Sequence, residues 1–191
     1  MVSTELDLVE AARTLMWERG GPVFTVSQVV AAAGSSLKSF YRCFASKDEL
    51  LVALFADDAR RGAEALARVV DRHTDARARV RAAVEGLFAF VAPDGSLPYA
   101  AALVGEHLRL SQSRPDELRD VLRPFVDLFR HELEHAARVG ALRVDDPERS
   151  ARTLFHLVIA HLHALVCHQI DEPPARVADD LWAFCAAALR P

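Results

Sequence analysis

The segment His131-Glu-Leu-Glu-His135 has the spacing of a helical zinc site: two imidazoles one turn apart, with Glu132 between them as a potential general base. Such chemistry needs a cleft and a third ligand, and the helical period argues against it. The apolar stripe here runs through Phe129, Leu133, Ala136 and Ala137. At about 100° per residue, His131 and His135 lie roughly 200–240° from Phe129. They are expected on a solvated face, and no metal, cofactor or catalytic residue is expected. A helical metal-dependent enzyme using His131, Glu132 and His135 is the alternative. Three more histidines lie in the apolar run Leu154 to Cys167. His161 and His163 point to different faces of a helix, whereas His156 and His163 share one. A hydrogen bond to a ligand, or a satisfied buried histidine, suits them better than a metal. Cys43, Cys167 and Cys185 are odd in number and far apart, which fits apolar packing in a reducing compartment rather than disulfides. The sequence carries no phosphate-binding glycine loop and no nucleophile elbow.

Overall charge does not suggest nucleic acid. The 191 residues carry a formal net charge of −4, and nucleic-acid-binding proteins are often basic. The distribution is more informative. From Arg19 to Lys47 there is no Asp or Glu, although the chain holds 27 of them, and the same window contains Arg19, Lys38, Arg42 and Lys47. Phosphate binding needs local cations and aligned N–H groups, not a basic whole. Tyr41 lies among these cations with a hydroxyl able to reach a phosphate. The first twenty residues carry early acids and lack the apolar stretch of a secretory leader. No run reaches ~18 apolar residues. A cytoplasmic location without membrane association is therefore expected.

Almost every segment reads as helix, so an all-α chain of about nine helices is expected. Leu6, Val9, Ala12, Leu15 and Met16 form a stripe ended by Gly20-Gly21. Thr25 and Gln28 have capping-box spacing at the start of a short helix that Gly34 stops. Ser36 caps a third helix, Leu37 to Phe44. Ser46 and Glu49 form another box, opening a long helix to about Val70. A stripe of Val80, Val84, Leu87, Phe88 and Val91 marks a helix over 75–92, followed by a turn at Pro93 to Ser96. Pro98 begins a helix to about Leu110. Pro115 begins one that bends at Pro124 and stops at Gly140. Asp146-Pro147 opens a helix to about Ile170, and Pro173-Pro174 precedes the last, with Val177, Leu181, Phe184, Cys185 and Ala188.

Two short helices joined by Gly34-Ser-Ser have the helix-turn-helix pattern, whose second helix enters the major groove. The string Thr25-Val-Ser-Gln-Val-Val-Ala-Ala-Ala-Gly34-Ser-Ser-Leu-Lys-Ser-Phe-Tyr41-Arg-Cys-Phe44-Ala-Ser-Lys47-Asp-Glu-Leu50 resembles the signature of the TetR family of transcriptional regulators, over about residues 5–55. The resemblance implies a helix-turn-helix DNA-binding domain over 1–50 and a ligand-binding and dimerisation domain over 51–191. It implies phosphate contacts from Thr25, Tyr41 and Lys47, base-edge contacts from Leu37, Lys38 and Ser39, and core roles for Phe40 and Phe44. Ser36 and Arg42 join the DNA-binding set as the cap and a cation of the same helix. Ser35 stands where the family has valine, Lys38 where glycine is common and Cys43 where histidine is frequent.

The run Leu154 to Cys167 is apolar on nearly all faces, so burial on all sides is expected. Leu162 and Leu165, with Leu181, Trp182, Phe184 and Cys185 of the last helix, would meet a second copy in a four-helix dimer interface. The resemblance also implies an effector pocket on the central helices. Phe88, Phe90, Tyr99, Leu103, His107, Phe125, Phe129, His156 and His163 lie there and suit a small, largely apolar ligand with one or two histidine hydrogen bonds. The expected function is a dimeric repressor released from a palindromic double-stranded DNA operator by that effector. An activator, or a regulator without small effector, is a further alternative.

Overall fold

The computed structural model describes residues 2–90 and 97–189, and among them ten α-helices and no strand. The expected turn at Pro93 to Ser96, and Val91, lie outside the described residues. The chain divides into two compact units, Met1–Asp58 with Pro98–Val121, and Ala59–Leu97 with Leu122–Pro191.

The first unit holds α1 (Val2–Arg19), α2 (Val26–Ala32), α3 (Leu37–Cys43), the first half of α4 (Lys47–Val70), α6 (Leu97–Ser113) and α7 (Pro115–Val121). Leu8, Val9, Ala12, Leu15 and Met16 of α1 are buried, as are Val29 and Val30 of α2 and Phe40 of α3, and α1 packs on both short helices. Leu6, expected in the α1 stripe, is instead 52 % exposed. Polar bonds tie α1 and α6 to α4. Arg13 donates from Nε to Asp58 Oδ1 at 2.7 Å and from Nη2 to Asp57 Oδ2 at 2.6 Å. The Tyr99 hydroxyl donates to Asp58 Oδ2 at 2.6 Å, and its ring lies 5.3 Å from that of Trp17.

The second unit holds the rest of α4, α5 (Ala76–Ala89), α8 (Arg123–Arg138), α9 (Pro147–Val166) and α10 (Pro174–Ala188). Here α8 packs on α9, α5 on α8, and α10 on α5 and α9. The helix expected from Pro115 to Gly140 is broken at Leu122 rather than bent, giving α7 and α8, which accounts for ten helices instead of nine. Pro124 has no N–H for the carbonyl four residues back, and its ring crowds that carbonyl. The helix expected to reach Ile170 stops at Val166. His168 takes a left-handed φ of 54°, and Gln169 N donates to Ala164 O at 2.8 Å, which closes the end. Glu132 is a buried charge in this unit, held by two bonds from Arg79: Nε to Oε2 at 2.6 Å and Nη2 to Oε1 at 2.9 Å.

Two of these interactions can be tested directly. Removing one partner of a buried ion pair leaves the other uncompensated, so Glu132→Ala should lower unfolding free energy by about 3 kcal/mol in urea melts. Burial, then the hydrogen bond to Asp58, raises the Tyr99 phenol well above its ordinary value of 10.0. The folded state therefore keeps Tyr99 neutral while the unfolded chain ionises above that pH, and stability falls as pH rises. Tyr99→Phe should lose about 1.5 kcal/mol at neutral pH and show a shallower decline than the unsubstituted chain above pH 10, measured by thermal melts across that range.

Candidate nucleic-acid interface

The turn between α2 and α3 is built from local bonds. Thr25 caps α2 with a complete box: Gln28 N donates to Thr25 Oγ1 at 3.3 Å and Thr25 N donates to Gln28 Oε1 at 2.9 Å. At the other end Gly34 has φ +59°, where a side chain is strained, and Ser35 N donates back to Val30 O at 2.8 Å. Ser36 then caps α3 by accepting from Ser39 N at 3.1 Å. Ser46 accepts from Glu49 N at 3.2 Å, and Glu49 Oε2 accepts from Ala45 N at 2.7 Å, opening α4.

This arrangement turns α3 into a two-sided element. Phe40 is fully buried, with the Tyr41 ring edge-on to it at 5.3 Å and Phe44 at 5.7 Å. The opposite side presents Leu37, Lys38, Tyr41 and Arg42 to solvent, Tyr41 being 61 % exposed. At about 100° per residue those four span roughly 140° of the helix circumference, a face suited to a groove. Thr25 and Ser36 are exposed beside it and Ser39 is half-buried, its hydroxyl 3.1 Å from that of Ser36. Ser35 and Cys43 are half-buried in the turn and at the end of α3.

The four cations of the acid-free window are not equivalent. Lys38 and Arg42 are exposed. Arg19 donates from Nη1 to Val23 O at 2.7 Å and to Gln28 Oε1 at 3.1 Å. Lys47 Nζ donates to Pro22 O at 2.5 Å and lies 4.5 Å from the centre of the Phe24 ring. Burial pulls the Lys47 ammonium below the usual lysine range. The acids that follow it are matched by arginines: Asp48 accepts two bonds from Arg109 at 2.6 and 3.2 Å, and Arg114 stands 3.7 Å from Glu49. The bonds from Arg109 hold the Asp48 carboxyl below the usual carboxylate range.

The residues expected at an effector pocket fall in both units. In the first, Tyr99 is committed to Asp58, Leu103 is half-buried, and burial lowers the half-buried His107 below the ordinary imidazole value. In the second, Phe125 stacks on Phe155 at 5.9 Å and 15°, and Phe129 meets Phe155 at 6.3 Å. Phe155, the centre of that cluster, is missing from the residues expected at the pocket. Its one signal in the sequence is that of a further phenylalanine on a buried stripe. Gly62 of α4 makes room for the cluster, since a Cβ there would stand 2.8 Å from Phe125 Cζ. His156 is exposed beside Phe155 and His163 is half-buried. Phe90 is exposed at the end of α5. Phe88 is buried at the floor of an open recess of about 340 Å³ between α5 and α10, rimmed by Arg81, Glu85 and Asp179.

Of the six residues expected at a dimer interface, Leu162, Leu165, Leu181, Trp182 and Cys185 are buried inside the protomer, and Phe184 is 69 % exposed. The uncovered face of α9 carries Thr153, His156 and Ala160, with His163 and Ala164 at its margin and exposed Cys167 just past its end, and α10 leaves Ala183, Phe184 and Ala187 open. His131 is exposed and His135 half-buried, on the side away from buried Phe129, and Glu132 has both oxygens on Arg79. Among the described residues no group of three or more metal-ligating side chains is assembled, and no helix is long and apolar enough to cross a membrane.

Comparisons with known proteins agree with this geometry. Residues 8–54 match the family described as bacterial regulatory proteins, tetR family, and residues 78–184 match the C-terminal domain described for the AefR-like transcriptional repressors. No curated protein matches the sequence significantly. Among solved structures the fold is similar to the regulator FadR from Bacillus subtilis in complex with stearoyl-CoA. The TM-score is 0.77 at 15 % identity, covering 97 % of this chain and 99 % of that one. RolR in complex with resorcinol has a TM-score of 0.76 at 19 % identity, covering 98 % of this chain and 87 % of that one. The fatty acid degradation regulator FadR from Bacillus halodurans has a TM-score of 0.75 at 20 % identity, covering 98 % and 96 %. With an N-terminal helix-turn-helix and a matched C-terminal helical domain, the chain belongs to the TetR family of DNA-binding transcriptional regulators.

Proposed function

We propose that this chain is a dimeric cytoplasmic repressor, bound to a palindromic operator when unliganded and released by a small, largely apolar effector. The observation that carries the reading is the α3 face. Leu37, Lys38, Tyr41 and Arg42 project from a helix anchored on its other side by Phe40, and Lys38 and Arg42 are exposed. In the major groove Lys38 would donate to guanine O6 or N7. Tyr41, Thr25, Ser36, Arg42 and Ser39 would supply phosphate and further base-edge contacts, which set the register of the helix on the duplex. Two half-sites require two copies, about 34–36 Å apart or a multiple of that. The uncovered faces of α9 and α10 supply the surface, with Phe184 as its largest apolar side chain.

The effector reading rests on the aromatic cluster of the second unit. Phe125, Phe129 and Phe155 offer stacking surface, and His156 and His163 stand on the same helix as Phe155. Regulators of similar fold hold stearoyl-CoA and resorcinol, and an apolar chain or an aromatic ring is the ligand chemistry this cluster suits. Such a ligand releases DNA only through a higher affinity for the conformation that does not fit the operator.

Band-shift titration with the chain's own upstream region tests the DNA reading. Lys38→Ala should cost about 1–3 kcal/mol of specific binding and relax discrimination at one base pair of each half-site. Equal affinity of wild type and Lys38→Ala on that duplex, with no loss for Tyr41→Ala, would count against α3 as the reading helix. Phe184→Glu places a charge on the proposed contact face, so sedimentation should show a shift from dimer to monomer with the helical circular dichroism unchanged.

A further inference from the structure

We propose that Leu37 reads a thymine through its 5-methyl group, so that each half-site carries an A·T pair alongside the guanine met by Lys38. The inference rests on the DNA-binding reading of α3 and adds which bases that helix selects. Leu37 is the first residue of α3 and is 47 % exposed. A single exposed leucine is ordinary on a protein surface, but this one stands on the face offered to the groove. Phe40, fully buried, fixes the rotation of α3. Leu37 lies about 60° round the axis from it, on the side shared with Tyr41 one turn on. On either side of Leu37 and Lys38 the serine hydroxyls are engaged with each other: Ser36 Oγ accepts from Ser39 N and donates to Ser39 Oγ, both at 3.1 Å. The first turn of the helix therefore presents one apolar side chain and one cation.

The base edges sort these two side chains. In the major groove guanine offers two acceptors, adenine an acceptor and a donor, cytosine a donor, and thymine an acceptor beside a methyl group. Leucine can neither donate nor accept. Laid over an amino group or a ring nitrogen, it strips water from that atom and returns no hydrogen bond, which weakens binding. Laid over the thymine methyl, it removes apolar surface of both partners from water. The other bases lack their usual partners on this helix. Adenine is matched by Asn or Gln and cytosine by Asp or Glu, and Leu37-Lys-Ser-Phe-Tyr-Arg-Cys43 contains none of the four. Gln28 of α2 has its amide oxygen on Thr25 N and Arg19. The chemistry left on α3 serves guanine, through Lys38, and thymine, through Leu37.

Replacing thymine by uracil removes the methyl and keeps the Watson–Crick pair, so it isolates this contact. The full-length protein is titrated by band shift against a duplex carrying its own upstream region, with uracil placed at one symmetric pair of thymines at a time. Burying a methyl is worth about fourfold in binding, and two half-sites together about fifteenfold. One pair of thymines is expected to show that loss with the wild type, and Leu37→Ala is expected to bind the thymine and uracil duplexes alike. The scan with unsubstituted protein does not depend on any variant folding. Specific binding by the wild type that no uracil pair weakens overturns the assignment and leaves the DNA-binding reading standing. So does a uracil effect that persists at full size in Leu37→Ala, since another side chain then reads the methyl. Binding no tighter than to a shuffled duplex of the same composition overturns the DNA-binding reading, and this assignment with it.

Discussion

One carboxylate organises the first unit. Asp58 accepts from Arg13 of α1 on one oxygen and from Tyr99 of α6 on the other, at 2.7 and 2.6 Å. Asp57 takes a second nitrogen of the same guanidinium. A part-buried cation needs its partners in fixed places, because leaving either charge unmatched costs more than the pair gains. Helix α1 can therefore not slide or rotate on α4 without breaking a fork of two bonds. Helices α2 and α3 pack on α1, so the position of α3 within this unit is inherited from Arg13. The Trp17 ring against Tyr99 adds an apolar contact at the same level. Disruption of this arrangement would be felt at α3 even though its members lie on other helices.

What is legible in the sequence has short range. The bonds between Thr25 and Gln28, Ser36 and Ser39, and Ser46 and Glu49 close within four residues, and the left-handed turn at Gly34 is fixed by a single residue type. Such features are encoded where they act. The Arg13 fork spans 44 and 45 residues, and no spacing rule reports which acids of α4 face a cation of α1. For the same reason no pattern in the chain places α6 and α7 in one compact unit with the helix-turn-helix. The ends of α7 and α9 are hidden differently. A proline two residues into a helix and a histidine at φ 54° are each compatible with either continuation or arrest, and only the tertiary setting decides.

The contact faces divide along the same line. Period alone finds the exposed side of α3, because one buried aromatic among polar neighbours gives the helix a direction. In α9 nearly every position is apolar, and hydrophobicity then carries no direction. Leu162 and Leu165 could face the core or a second copy equally well by sequence, and the core takes them. The face left over is made of threonine, histidine, alanine and cysteine, small or polar side chains that a search for apolar stripes passes over. Charge counting has the matching defect. It registers Arg19 and Lys47 as cations, but not that both also reach carbonyl oxygens, which no sequence pattern marks as acceptors.

The aromatic cluster constrains how any effector could act. Phe125, Phe129 and Phe155 stand at centroid distances of 5.9 and 6.3 Å, within the range of direct ring contact, so those rings leave no ligand-sized gap between them. An apolar molecule entering there must part them and replace their mutual contact with its own. The packed rings would then belong to the unliganded conformation, and such a ligand would stabilise an alternative in proportion to its preference for parted rings. A ligand that bound both equally would shift nothing, however tightly it bound. For a ligand that acted at this cluster, sensitivity would be set by how well the rings satisfy one another: closer packing would demand a better-fitting ligand, and with it greater selectivity, before the regulator responded.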